Sequence, residues 1–277
     1  MAARRAYLAF IRAGSESLHR RLIAEDPARN WDCCVSWYVP PLSEQLAEYY
    51  SEGGDNKLEG FLEFQRHCPQ LSDYRFVMLL DDDVYLEPGA LSRFFELCER
   101  HGTWLAQPAQ RWRTNNTLKV LVRNPVCVLR RVSFVEVMAP CFSAAALEEL
   151  LPTFSWTKST WGVDWAWGCL AQDRHALYVV DAIPLAHTRR GDPDGGAFYR
   201  KLRAMGVDAA EELRRVRERF PAYVGPRTLP RGHVYRRGIP PFIAGVLWRV
   251  FEHLKWMVRL RKQALRQWQR IRQGRGG

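Results

Sequence analysis

Three consecutive carboxylates, Asp81-Asp82-Asp83, close the apolar run Phe76-Val77-Met78-Leu79-Leu80. The run has no polar alternation, which is the pattern of a strand buried on both faces of a parallel sheet. Like charges this close repel unless a cation sits among them. Asp81 and Asp83 stand two residues apart and point the same way in an extended chain, so one divalent ion could meet both. Asp82 then faces away, towards a ribose or a backbone amide. Hard oxygen donors of this kind suit Mn²⁺ or Mg²⁺. In open α/β sheets ligands bind beyond the carboxyl ends of the strands, where the triplet falls. The plainer alternative is a solvated acidic turn with an aspartate capping the next helix.

Other residues could join this chemistry. His187 ends a later apolar run, Leu177 to His187, and neutral imidazole is a competent ligand for Mn²⁺; an ordinary surface histidine is the alternative. Arg189 and Arg190 follow it, and guanidinium groups pair with the oxygens of a diphosphate. Arg12, at the end of the first strand, and Lys57, after Gly53-Gly54, are placed to approach nucleotide phosphate or base, or else are surface charges. Glu136 interrupts an apolar stretch and needs a partner: a structural arginine, or an acceptor substrate. Asp164 follows Trp161-Gly162 at the start of a tryptophan-rich helix, where capping alone would account for it. Trp161, Trp165 and Trp167 offer rings for stacking on a sugar face, although core packing suits at least one of them.

The elements that must hold these residues alternate. Ala6 to Ile11 and Trp31 to Val39 read as strands, with a helix between them ending near Ile23, and Pro40-Pro41 closes the second strand. Ser43 to Tyr50 reads as helical, and Lys57 to about His67 as a helix before the acidic strand. Pro88-Gly89-Ala90 opens a helix over Leu91 to Arg100. This β-α-β-α-β-α order predicts a doubly wound α/β sheet. Further on come a strand from Thr103 to Ala109, an irregular basic stretch from Gln110 to Arg130, and a strand from Val132 to Pro140. Ser143 caps a helix over Ala144 to Leu151, and another leads from Asp164 to near Gln172. Charged helices over 194–205 and 208–220 complete a domain spanning 1–221. A Pro/Gly/Arg linker, 222–241, and a basic amphipathic C-terminal helix and tail, 242–277, follow.

Charge divides the chain in the same place. Of 41 Lys/Arg and 30 Asp/Glu, twelve bases and the single acid Glu252 lie from Arg231 onward, which leaves the first 230 residues neutral. The balanced body offers no basic recognition surface, and this argues against a nucleic-acid partner. In the tail Ile243, Leu247, Val250, Leu254, Met257, Val258, Leu265 and Trp268 recur at three and four, with Arg249, Arg259, Lys262, Arg266 and Arg270 largely elsewhere. Such a helix lies on an anionic membrane surface, here through residues 242–273, or docks on the body by its apolar stripe. Seven cysteines, an odd number without zinc-ligand spacing, read as free thiols in a reducing compartment. The opening apolar run is too short for a secretory leader, and no stretch is long and uncharged enough to span a bilayer. A cytoplasmic protein is expected, peripheral on the inner membrane face if the helix engages lipid.

Asp-x-Asp after a hydrophobic strand in such a domain resembles the GT-A glycosyltransferases. Four segments in order sharpen the likeness: Leu80 to Asp83, Phe134 to Ser143, Trp161 to Asp164 with Cys169 to Gln172, and Val179-Val180-Asp181 through His187. Together they resemble a plant and bacterial glycosyltransferase-like family known as domain of unknown function seven hundred and seven, over roughly residues 5–190. The resemblance implies a GT-A-like fold and transfer of a sugar from a nucleotide-diphosphate donor to a glycan or lipid-linked acceptor. It implies Mn²⁺ or Mg²⁺ on Asp81 and Asp83, with His187 completing the site. Asp164, else Glu136, would be the base that takes the acceptor proton in an inverting transfer. A catalytically silent glycan- or nucleotide-binding protein of the same fold, or a membrane-associated scaffold, are the competing expectations.

Overall fold

Every residue of β1 (Tyr7–Ala13) and β2 (Trp31–Trp37) is buried. Successive side chains of a strand point to opposite faces, so such strands must be covered on both sides. Tyr7, Ala9 and Ile11 join one apolar layer with Leu91, Phe94 and Phe95 of α3 (Ala90–Arg100). Leu8 and Phe10 join the other, with Leu58 and Phe61 of α2 (Lys57–His67). This computed structural model describes residues 4–38, 45–112, 114, 118–171, 174–189 and 196–238, and then 243, 245–247, 249–251, 253, 254, 257 and 261.

The remaining elements are α1 (His19–Ala24), β3 (Tyr49–Glu52), β4 (Phe76–Asp81), β5 (Val84–Tyr85), β6 (Leu105–Gln110), β7 (Cys127–Val132) and β8 (Cys141–Ser143). After them come α4 (Ala144–Leu150), α5 (Val163–Ala171), β9 (Leu177–His187), α6 (Ala197–Ala204), α7 (Ala209–Arg219) and β10 (Val234–Tyr235). The strands form one sheet in the order β10-β7-β9-β6-β8-β4-β1-β2-β3, with β5 added to β9. Strands β3, β2, β1 and β4 are parallel, as are β6 and β9, while the short β8 runs antiparallel between β4 and β6. This is the mainly parallel α/β architecture expected from the sequence. It sends the carboxyl ends of β1, β2, β4, β6 and β9 to one side.

Two assignments need correction. Residues 45–48 are not helical, and Tyr49–Glu52 is the edge strand, paired in parallel with Cys34 to Trp37. Glu48 is held there by Arg5, Arg29 and the Cys33 amide, contacts that override a local helical pattern. The strand expected over Val132–Pro140 ends at Val132; residues 133–140 form a buried loop instead. Its backbone groups bond to distant partners: Glu136 N–H to Gln107, and the Met138 and Pro140 carbonyls to the Asp81 and Leu79 amides of β4. Ser143 caps α4 as expected, its hydroxyl accepting from Ala146 N–H at 3.2 Å. Residues of the proposed linker lie along β7, with Val234–Tyr235 paired to it and the Tyr223 hydroxyl donating to Ser133 O at 2.5 Å. Pro40, Pro41, Gln172, Arg190 and much of the tail lie outside the described residues.

One irregularity matters for the site. Pro108 of β6 faces Val180 of β9, but Ala109 faces Pro184, so Asp181-Ala182-Ile183 stand outside the ladder. A bulge bends the strand that carries it. The fully buried Asp181 within it meets the fully buried Arg130 of β7 at 3.0 Å, and also accepts from Asn124 N–H at 2.7 Å. Arg130 further donates to the Val120 and Val122 carbonyls. Such a pair is costly to break because the surviving charge stays buried. Asp181→Asn or Arg130→Met is expected to lose about 3–5 kcal/mol in urea denaturation, and the double replacement Arg130→Met/Asp181→Leu to recover most of it.

Candidate active site

Asn56 caps α2, its side chain accepting from Glu59 N–H, so Lys57 is the first residue of that helix and points down at the sheet. Its ammonium is buried and spends its protons on Asp81 Oδ1 at 2.5 Å, Val137 O at 2.7 Å and Met138 O at 2.9 Å. Burial raises the Asp81 carboxyl above its ordinary range, against the pull of Lys57. Yet 39% of the Asp81 side chain is accessible. The Asp81 carboxylate is thus enclosed by protein and still open on one side.

Asp82 turns the other way, as the spacing predicts. Its carboxylate accepts from Gly14 N–H at 2.9 Å and from the Tyr38 hydroxyl at 3.1 Å, and it pairs with Arg189. These bonds tie the loops after β1 and β2 to the acidic turn. Asp83 meets His187 Nε2 at 3.0 Å and Arg189 Nε at 3.3 Å. His187 is delivered by the end of β9, which rejoins β6 after the bulge at Pro184 and Leu185 and then pairs with β5, Val84 opposite His187. Thr188 then anchors the turn through the Asp83 carbonyl, with its amide at 3.0 Å and its hydroxyl at 2.8 Å. The hydrogen bond to Asp83 raises the His187 imidazole against the opposing effect of burial. Burial would raise Asp83, but His187 and Arg189 outweigh it and hold its carboxyl low.

The second half of the cluster comes from the 133–140 loop and α5. Gly162 has φ 89°, and a Cβ there would meet Val216 of α7 at 3.0 Å, so the turn into α5 needs glycine. Thr160, two residues before, is also left-handed at φ 65°. Glu212 of α7 secures this turn by accepting from the Lys158 and Ser159 amides. Asp164 therefore opens α5 in a fixed place, accepting from its neighbour Trp165 N–H at 2.9 Å and from Val137 N–H at 3.4 Å. Enclosure by protein, then the charge of Glu136, push its carboxyl up to about 7. Glu136 is buried and accepts from Gln110 Nε2 at 2.6 Å. Its charge also reaches His187.

Arg12 aligns with Asp81 across β1 and β4, but its guanidinium is buried and donates to Ser36 Oγ and to the Gly53 and Gly54 carbonyls. It lies under the Tyr38 ring, 5.5 Å from the centroid. Tyr38 itself is half exposed at the end of β2, its hydroxyl pushed up to about 12 by burial and by Asp82. Of the tryptophans, Trp167 is core, while Trp161 and Trp165 keep part of their surface open. Gln107, Gln110 and Tyr38 were not singled out from the sequence. The two glutamines are the polar intrusions in an apolar strand, and that was their signal. A cavity of about 320 Å³ between β3 and α2 is lined by Tyr49, Phe64, His67 and Cys68 and includes none of the clustered acids.

The expected metal set is only partly assembled. Asp83 and His187 come together, whereas Asp81 Oδ1 is taken by Lys57 because Asp81 still belongs to the β4 ladder. Among the described residues no group of three or more His, Cys, Asp or Glu side chains is gathered as a metal-holding set.

No family model matches the chain, and no curated protein matches it. Among solved structures it superposes on GalNAc-T7, determined with UDP, GalNAc and Mn²⁺, with a TM-score of 0.55 at 9% identity over 79% of this chain and 48% of that one. S. aureus TarS gives a TM-score of 0.44 at 12% identity over 78% of this chain and 42% of that one. The chain thus spans about half the length, or less, of these neighbours. The GT-A-like fold is present. At such identity the first likeness establishes the fold and leaves the chemistry to be argued from the site.

Asp164 gives a stability signature with a definite sign. Its folded value of about 7 lies above the ordinary 3.8, so the native state keeps a proton that the unfolded chain releases between those limits. Stability from this group is full below about 4, falls as pH rises, and is lost beyond about 7. Asp164→Asn is therefore expected to raise the urea midpoint relative to the parent at pH 8 and to gain nothing at pH 4.

Proposed function

We propose that this protein is a metal-dependent glycosyltransferase that moves a sugar from a nucleotide-diphosphate donor to a glycan or lipid-linked acceptor. The observation that carries this is that Lys57 and the Val137–Met138 backbone tie the acidic end of β4, where Asp83 meets His187, to the loop of Glu136 and to Asp164 on a GT-A-like sheet. The four ordered segments that resemble domain of unknown function seven hundred and seven contribute Asp83, Glu136, Asp164 and His187, which supports placing the chain near that family.

The donor set suits a hard divalent cation. A carboxylate oxygen and an imidazole nitrogen lie 3.0 Å apart, both partly accessible. Mg²⁺ and Mn²⁺ are commonly held by one or two protein donors with substrate phosphates and water completing the shell. Asp83 and His187 would hold the ion. When bound, Mn²⁺ or Mg²⁺ supplies charge that stabilises the departing diphosphate. Arg189 exposes 41% of its side chain while pairing with Asp82 and Asp83, and from there it can meet a phosphate oxygen. Arg190 would assist it. Arg12 acts through the protein, shaping the Gly53–Gly54 turn beside the donor site. Asp82 orients the loops that border it. Lys57 sets the height of Asp81 and of the 137–138 backbone. Tyr38 presents an open ring for a nucleoside base.

Asp164 would take the proton from the acceptor hydroxyl as that oxygen attacks the anomeric carbon. A carboxyl near 7 holds a substantial basic fraction at neutral pH and accepts a proton more readily than an ordinary aspartate. Glu136, bonded to Gln110, keeps its charge close enough to maintain that value. Accessible surface on Trp161 and Trp165 suits contact with an acceptor sugar face.

Isothermal titration of Mn²⁺ with UDP or GDP tests the donor half. The parent protein is expected to bind nucleotide only with metal present, and Asp83→Ala to weaken that binding at least about tenfold, the loss of one charged ligand. No metal-dependent binding by the parent would remove the enzyme reading. For the acceptor half, kcat/KM is expected to rise with pH through about 7, the deprotonated Asp164 being the active form. Asp164→Asn is expected to lose about 10²–10⁴-fold and to flatten that limb. An unchanged profile in the variant would assign the base elsewhere.

A further inference from the structure

We propose that the C-terminal helix docks this protein on an anionic phospholipid bilayer, with its apolar face turned into the lipid and its basic residues among the headgroups. Residues 243, 245–247, 249–251, 253, 254, 257 and 261 are helical. Ile243, Val246, Leu247, Val250, Leu254 and Met257 follow one another at helical spacing, and each exposes between 42% and 51% of its surface. Six consecutive members of one stripe, all apolar and all open, are not the isolated surface hydrophobics that need no explanation. The body leaves this stripe uncovered. Phe251, beside it, lies 6.1 Å from Trp112 between ring centroids, so the helix meets the body by its flank.

Charge selects the occupant. From Arg231 onward the chain carries twelve bases against the single acid Glu252. A second copy of the chain would bring the same charge to the same place and be repelled. A bilayer of acidic lipid offers both complements together, hydrocarbon for the stripe and negative headgroups for the arginines and lysines. No helix among the described residues is long and apolar enough to cross a membrane, so the contact is one of lying on the surface.

The attachment point gives this docking a consequence. Trp112 follows Gln110, which holds Glu136, and Arg111 N–H donates to Leu185 O at 2.7 Å near the end of β9. The helix thus meets the body two residues beyond Gln110, at the end of β6, and lipid under the helix would bring a membrane-held acceptor towards that end of the strand. That consequence, a lipid-linked acceptor, rests on the transferase reading above; the docking itself does not.

The test is sedimentation of the full chain with vesicles of phosphatidylcholine alone and of equimolar phosphatidylcholine and phosphatidylglycerol. Binding is expected to be at least about tenfold tighter to the anionic vesicles and to weaken with salt. Val250→Glu/Leu254→Glu, checked for an unchanged melting temperature, is expected to cut binding at least about tenfold through loss of the buried apolar face. Arg249→Gln/Arg261→Gln is expected to reduce the preference for anionic lipid while keeping the fold. Parent protein that stays in solution with anionic vesicles overturns the proposal. So does equal binding by the apolar-face variant, or a dimer that this variant abolishes while lipid is ignored. Titration of the same preparation with UDP and Mn²⁺ separates the two readings, since vesicle binding without nucleotide binding upholds docking and removes the transferase.

Discussion

A single buried ammonium makes the acidic end of this sheet possible. Asp81, Asp82, Asp83, Glu136 and Asp164 all lie there, and Lys57 joins the two segments that bring most of them. Its bonds to Asp81 and to the Val137 and Met138 carbonyls link the start of α2, the end of β4 and the loop that carries Glu136. Burying a cation is tolerable only when its donors are all engaged and its charge is answered, and here both conditions hold. Because Val137 also offers its N–H to Asp164, the same ammonium fixes how far the Asp81 side stands from the Asp164 side.

The two sides solve the repulsion differently. Asp82 and Asp83 are answered by fixed cations or by His187, and Asp83 is held low as a result. Asp164 is met by backbone amides, with Glu136 nearby, and it answers the crowding by keeping a proton up to about 7. Carboxyls whose environments push them apart in this way differ in what they can do, one side staying charged and the other able to exchange a proton near neutrality. The geometry that brings His187 to Asp83 depends on the β9 bulge, and the bulge depends on Arg130 and Asp181. A fully buried ion pair well inside the sheet thus aims an imidazole at its rim.

Much of this was legible in the residues, for identifiable reasons. Strands β1, β4 and β9 are continuous apolar runs, Leu177–His187 to the residue, and α2, α3 and α4 carry punctuation at their starts. Asp82 facing away followed from strand geometry, and of the ribose or backbone amide expected opposite it, the amide of Gly14 is found. What escaped was set by partners far along the chain. The 133–140 loop looks like a strand because it is buried and apolar, yet its groups are satisfied by Gln107, Lys57 and Asp164, which lie 29, 80 and 27 residues away. Tyr49–Glu52 became an edge strand because β2 was there to pair with it. Lys57 read as a cation approaching phosphate or base, or else as a surface charge; instead its ammonium is buried against Asp81. A residue type at a spacing can nominate a charge, but its counter-charge is chosen by the fold.

The same distinction explains how a chain can share the sheet of a protein to which it is 9% identical. Buried strands ask only for apolar side chains of suitable shape, and many sequences supply them. The ends of those strands are different, because charges placed there must balance as a set. With Asp81, Asp82, Asp83 and Glu136 set against Lys57, Arg189 and one histidine, and Asp164 adding its charge above about 7, the rim carries more negative than fixed positive charge. A nucleoside diphosphate entering such a rim meets repulsion unless a divalent cation comes with it or waits on Asp83 and His187. The case for a cation-assisted diphosphate leaving group therefore lies in the charge left unbalanced at the rim of this chain.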